Sequence, residues 1–163
     1  MKKILLILAT MLGLAVAASA QPKAVGIRFG YAGLGLGEIS YEHYYSLFGN
    51  AEDFIEGELG LWGNSGFKVS GLYNWTLWHP DWTDQGTWGL YAGPGAALGY
   101  TTYHDDNDEL KGSPFLGLVA QVGLEYNFWF PLQLSLDLRP TLGWAGRLDP
   151  NWFVMALSAR YAF

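Results

Sequence analysis

Eight segments of this chain alternate, residue by residue, between large apolar side chains and small or polar ones, and no segment of helical period lies between them. Successive side chains of a strand point to opposite faces, so each segment reads as a β-strand with one greasy face. The alternation is cleanest over 132–142. Leu132, Leu134, Leu136, Leu138 and Leu142 share one parity; Gln133, Ser135, Asp137, Arg139 and Thr141 share the other. The closing stretch, 153–163, sets Phe153, Met155, Leu157, Tyr161 and Phe163 against Ala156, Ser158, Arg160 and Ala162. The other six segments are 23–31, 38–45, 53–61, 67–77, 87–100 and 115–128.

The connections are short. A Gly-Asn-Ser-Gly run at 63–66 predicts a hairpin turn. Pro94 inside the fifth segment predicts a bulge or a locally unpaired position, because proline has no N–H to give the ladder. Residues 101–113 read as the longest and most acidic loop, and 143–151 as the connection to the last strand. Consecutive antiparallel pairing is the simplest topology for such a chain. The fold class is therefore all-β, an eight-stranded antiparallel up-and-down barrel.

Volume decides which face of that barrel is inside. An eight-stranded barrel has an interior just wide enough to be filled by side chains. The apolar parity is rich in Phe, Tyr, Trp and Leu, too bulky a set for that space, whereas the other parity is mostly Gly, Ala and Ser with a few charges. The apolar face is thus expected outside, and lipid is the solvent that tolerates it there. The eight Trp residues fall at strand ends or in connectors, where the aromatic girdles of a membrane barrel lie. A soluble barrel would require the opposite arrangement.

Lys2 and Lys3 precede an apolar run over 4–17 and a small-x-small site at Ala18-Ser19-Ala20, which reads as a cleaved secretory signal peptide over 1–20, leaving 21–163 as one barrel domain. The run is too short for a comfortable membrane-spanning helix. The first twenty residues hold two of the nine Lys and Arg and none of the fifteen Asp and Glu, which moves the net charge from −6 to −8. Such a surface argues against nucleic acid as a partner. With no Cys, an exported chain must be stable without disulfides.

On these residues (the leader at 1–20, the alternating strands and the ending Tyr161-Ala162-Phe163) the chain resembles the small bacterial outer-membrane β-barrels of the OmpX and OmpA-transmembrane-domain type. The resemblance implies an integral outer-membrane location reached by export, both termini in the periplasm, and the connections after strands one, three, five and seven facing outward. It implies outer-membrane lipid and lipopolysaccharide as surroundings, the barrel-assembly machinery as a partner during insertion, and a monomer. Tyr161 and Phe163 would then be part of the assembly signal. No cofactor comes with it.

The charges on the small parity are Arg28, Glu38, Glu42, Glu56, Glu58, Lys68, Glu125, Asp137, Arg139 and Arg160. Buried charges must be paired or wetted, so a salt-bridge network plugging the lumen is expected. Counting from strand ends places Glu125 beside Arg160, and Arg28, Glu58, Asp137 and Arg139 together near mid-barrel. The alternative is a pathway for protons or a small solute. Asp105, Asp106, Asn107, Asp108 and Glu109 form an oxygen-rich loop, a weak candidate for Ca²⁺ because it lacks the spacing of an EF-hand. Some outer-membrane barrels act on lipid A acyl chains, which makes His43, His79 and His104 the candidates for a catalytic base. None has a nucleophile and an acid at a convincing spacing. The expected function is a non-enzymatic membrane barrel with a structural or surface-interaction role.

Overall fold

A computed structural model of the chain describes residues 22–31, 37–45, 48, 51–62, 66–104, 110–144 and 148–163. The expected signal peptide at 1–20, the turn residues 63–65 and the acidic candidates Asp105, Asp106, Asp108 and Glu109 lie outside these. The strands are β1 (Lys23–Tyr31), β2 (Glu38–Tyr44), β3 (Phe54–Trp62), β4 (Gly66–Trp78), β5 (Thr87–His104), β6 (Leu110–Asn127), β7 (Gln133–Leu138), β8 (Thr141–Trp144), β9 (Leu148–Asn151) and β10 (Met155–Ala162). Every pairing is antiparallel, and the order β5-β4-β3-β2-β1-β10-β7-β6 closes through a β5–β6 ladder. β7 and β8 both pair with β6 and form one interrupted stave; β9 and β10 form another. The ten ladder segments thus make a closed eight-stranded barrel. Lys23 and Phe163 exchange backbone hydrogen bonds, 2.9 and 2.8 Å, where the first and last strands meet.

The stagger follows from the registers. From Ser70, register partners across the ladders lead one way to Ala97 on β5. The other way they lead through Glu58, Ser40, Gly26, Arg160, Gln133 and Asn127 to Thr87 on the same strand, ten residues away. Closing eight strands with such a shear requires them to tilt, typically by 35–45°. Residues equally far from their strand ends therefore do not stand at one level.

Three segments depart from the expectation. The predicted loop 101–113 is mostly ladder: Thr101↔Ser113, Thr102↔Gly112, Tyr103↔Lys111 and His104↔Leu110 extend the β5–β6 hairpin. Thr and Tyr favour strand, and the pairing needs no buried face to continue. The predicted unbroken seventh strand stops at Arg139-Pro140, since Pro140 has no N–H; its carbonyl still accepts from Ala120 N at 3.0 Å. The predicted connection 143–151 is largely the β8–β9 hairpin. Between Leu138↔Met155 and Thr141↔Asn151 one stave advances three residues and the other four, which is a bulge. Pro94 behaves as expected: Leu72↔Gly95 and Trp75↔Ala92 are paired, with no β5 partner for Tyr73 or Asn74 between them.

Exposure divides by parity. Phe29, Leu116 and Leu118 are exposed, Leu118 at 69%. Arg28, Ser40, Glu42, Glu56, Gln133 and Arg160 are all within 2% of complete burial. Not all large side chains lie outside, however. Leu72, Ala97, Phe115 and Val119 form an apolar cluster within the barrel, and Phe54 and Tyr91 are fully buried. Glycine on the inward parity makes room: a Cβ at Gly123 would fall on the ring of Tyr91, its cross-strand partner, and one at Gly60 would lie 2.9 Å from Glu38.

Candidate functional site

The inward parity of β1, β2, β3, β7 and β10 carries charge, and the stagger brings those charges together. Arg28 grips Asp137 with both arms of its guanidinium, Nη2–Oδ1 2.6 Å and Nε–Oδ2 3.2 Å, a charge-assisted fork. Its Nη1 reaches Glu38 at 2.7 Å and its Nε lies 3.5 Å from Glu58. Lys68 Nζ closes on the other oxygen of Glu38 at 2.5 Å. Arg139 bonds closely to Glu58, lies 3.3 Å from Glu56 and 3.8 Å from Asp137. Arg160 meets Glu56 at 2.5 Å and Glu42 at 3.0 Å. Its remaining donors go to the hydroxyls of Ser40, 2.9 Å, and Ser135, 2.7 Å.

The result is one chain of alternating sign, Lys68–Glu38–Arg28–Asp137–Arg139–Glu56–Arg160–Glu42, with Glu58 bridging Arg28 and Arg139. Taking an ion out of water costs several kcal/mol, recovered only where the partner is close and the other donors are satisfied. The guanidinium nitrogens of Arg28 and Arg160 meet that condition. Four cations face five carboxylates here, so the network carries an acid in excess.

Glu125 stands apart. The expected contact with Arg160 does not form: Arg160 turns to Glu42 and Glu56 instead. Depth counted from strand ends ignores the ten-residue stagger, and the ladders place Gln133, not Glu125, opposite Arg160. Glu125 accepts from Tyr44 Oη, Asn127 Nδ2 and Gln133 Nε2, each at 3.1 Å, and forms no ion pair among the described residues. These neutral partners were absent from the sequence-based set. Gln133 and Ser135 share the parity of Asp137 and Arg139, and Tyr44 that of Glu42, which is the signal that marks them.

His43 lies on the outward parity, stacked between Tyr41 and Tyr45 at 6.5 and 6.2 Å. His79, in the connector after β4, has Nδ1 2.7 Å from the Trp88 carbonyl and Nε2 2.9 Å from Glu52 Oε2. The Trp88 carbonyl, with help from Glu52, holds its pKa above the ordinary histidine range against burial, which opposes them. His104 ends β5. Among the described residues no cluster of three or more His, Asp and Glu is arranged to hold a metal ion.

Among solved structures, the chain is similar to the N-terminal β-barrel domain of Pseudomonas aeruginosa OprF, with a TM-score of 0.61 over 88% of this chain and 96% of that one. The fold is that of an eight-stranded outer-membrane barrel domain. Sequence identity is 14%, so the likeness is one of architecture. No protein-family model matches the chain, and no curated protein does.

Proposed function

We propose that this chain is an integral outer-membrane β-barrel without enzymatic activity, serving a structural or surface-interaction role, with its lumen closed by ion-paired side chains. The observation that carries the reading is the continuous network from Lys68 to Glu42 inside a closed barrel, buried from Arg28 onward. A solute or ion crossing the lumen would have to separate Arg28 from Asp137 or Arg160 from Glu56, pairs 2.6 and 2.5 Å apart. The membrane setting is supported by the exterior. Side chains such as Phe29, Leu116 and Leu118 stand exposed on it, a surface that opposes solution in water at about 25 cal/mol per Å² but not in hydrocarbon.

Planar-bilayer recording tests the closed lumen. The folded protein is expected to give no persistent single-channel steps; steady, discrete openings would replace this reading with a solute or proton pathway. Unboiled protein from a membrane fraction is expected to migrate differently from boiled protein, and recovery in the soluble fraction would overturn the membrane placement.

A further inference from the structure

At the end of the barrel that carries Pro22 and Ala162 a cavity of about 290 Å³ opens, lined by Tyr44, Thr76, Glu125, Asn127 and Gln133 among others. We propose that it binds a small organic ammonium ion. Glu125 on its wall is 3% exposed, and the three groups bonded to it are neutral, so they orient its carboxylate without balancing its charge. A buried carboxylate in that setting calls for a cation. Beside it, Gln133 is fully buried. Its Nε2 is engaged by Tyr44 and Glu125 at 2.9 and 3.1 Å, while its Oε1 has no hydrogen-bond partner. Both residues line the cavity, and a carboxylate and an amide oxygen are acceptors for an ammonium group, which offers three donors and a full charge.

Arg160 does not fill this role, because its nitrogens are committed to Glu42, Glu56, Ser40 and Ser135. Of the other charged residues on the lining, Glu52 is engaged by His79 at 2.9 Å, and Lys23 is 6% exposed. A bare divalent ion fits less well: it needs a shell of six or more oxygens, and no cluster of three acids or histidines surrounds the site among the described residues. The cavity is too large for a single ion and near the small end for ligand pockets. Ala24, Ala51 and Ala162 line it as well and give an alkyl chain somewhere to lie.

The test follows the side-chain amide signals of Gln133 and Asn127 by NMR in the detergent-folded full chain. The titrants are 1,4-diaminobutane, the neutral butane-1,4-diol, sodium chloride and calcium chloride. The diamine alone is expected to move both signals saturably, with affinity weakened about tenfold or more in Glu125→Gln. The proposal is overturned by no saturable movement, by an equal response to the diol, by a response to calcium or sodium without one to the diamine, or by unchanged diamine affinity in Glu125→Gln. Should that variant not fold, the diamine and diol titrations of the unaltered chain decide. The outcome is independent of whether the lumen conducts.

Discussion

Replacing Arg160 with Met tests the network at the residue where its sign balance is most delicate. The side chain is about 1% exposed and binds two carboxylates. Glu56 keeps a second cation, Arg139 at 3.3 Å, but Glu42 has no other ion-pair partner among the described residues. The substitution therefore leaves one buried carboxylate uncompensated, a change that costs about 3–5 kcal/mol. With a urea dependence of about 2 kcal/mol per M, the unfolding midpoint should fall by about 2 M. Tryptophan fluorescence during urea titration of the lipid-folded protein measures it. Adding Glu42→Gln to Arg160→Met removes the stranded charge and should recover about 1–3 kcal/mol as a coupling energy. Glu125→Gln in the same background should recover little, because Glu125 does not pair with Arg160. An unchanged midpoint in Arg160→Met, or equal recovery from Glu125→Gln and Glu42→Gln, would refute the arrangement.

Two further perturbations probe the packing and the connector. In Gly123→Ala the new methyl falls on the Tyr91 ring, so the variant should lose about 1–3 kcal/mol as overpacking, and Tyr91→Ala in the same chain should return part of it, read by the same urea titration. Both ring nitrogens of His79 face acceptors, the Trp88 carbonyl and Glu52, and only the imidazolium can donate to both at once. Because its pKa is raised in the folded chain, this contribution is complete below about pH 6.5 and is lost as pH rises through the raised value. The unfolding midpoint should therefore drop from about pH 5.5 to about pH 8.5 by a term worth about 0.2–1 kcal/mol, the range for exposed pairs. His79→Gln should abolish that term, and an unchanged pH dependence in the variant would remove His79 as its source.

Alternation made the barrel legible because the side-chain period of a strand is fixed by backbone geometry and survives any tilt. It placed Arg28, Asp137, Glu58 and Arg139 on the same face, and they do meet. It could not say which charge meets which. That depends on the stagger, which is a property of eight ladders together and of no single strand. Arg160 thus finds Glu42 and Glu56 rather than Glu125. The volume argument missed Tyr91, because its parity otherwise shows Gly89, Gly93 and Gly95, and the space it fills is created by Gly123 on the next strand.

The break at Arg139-Pro140 was hidden for a related reason. Gln133, Ser135, Asp137 and Arg139 point inward before it and Gly143 after it, so the inward parity runs across the break without a slip. Side chains report only parity, whereas the interruption lies in the backbone: Pro140 cannot donate, and Arg139 N turns to the Val154 carbonyl at 2.8 Å. The extra residue is absorbed on the partner stave at 152–154, where a bulge shifts the register by one. Arg139, which joins Glu58, Asp137 and Glu56, is the last residue before the interruption, and its own N–H is bonded across the bulge. The centre of the charge network is therefore anchored where two neighbouring staves are both discontinuous, and bulges in barrels commonly serve to re-aim a side chain.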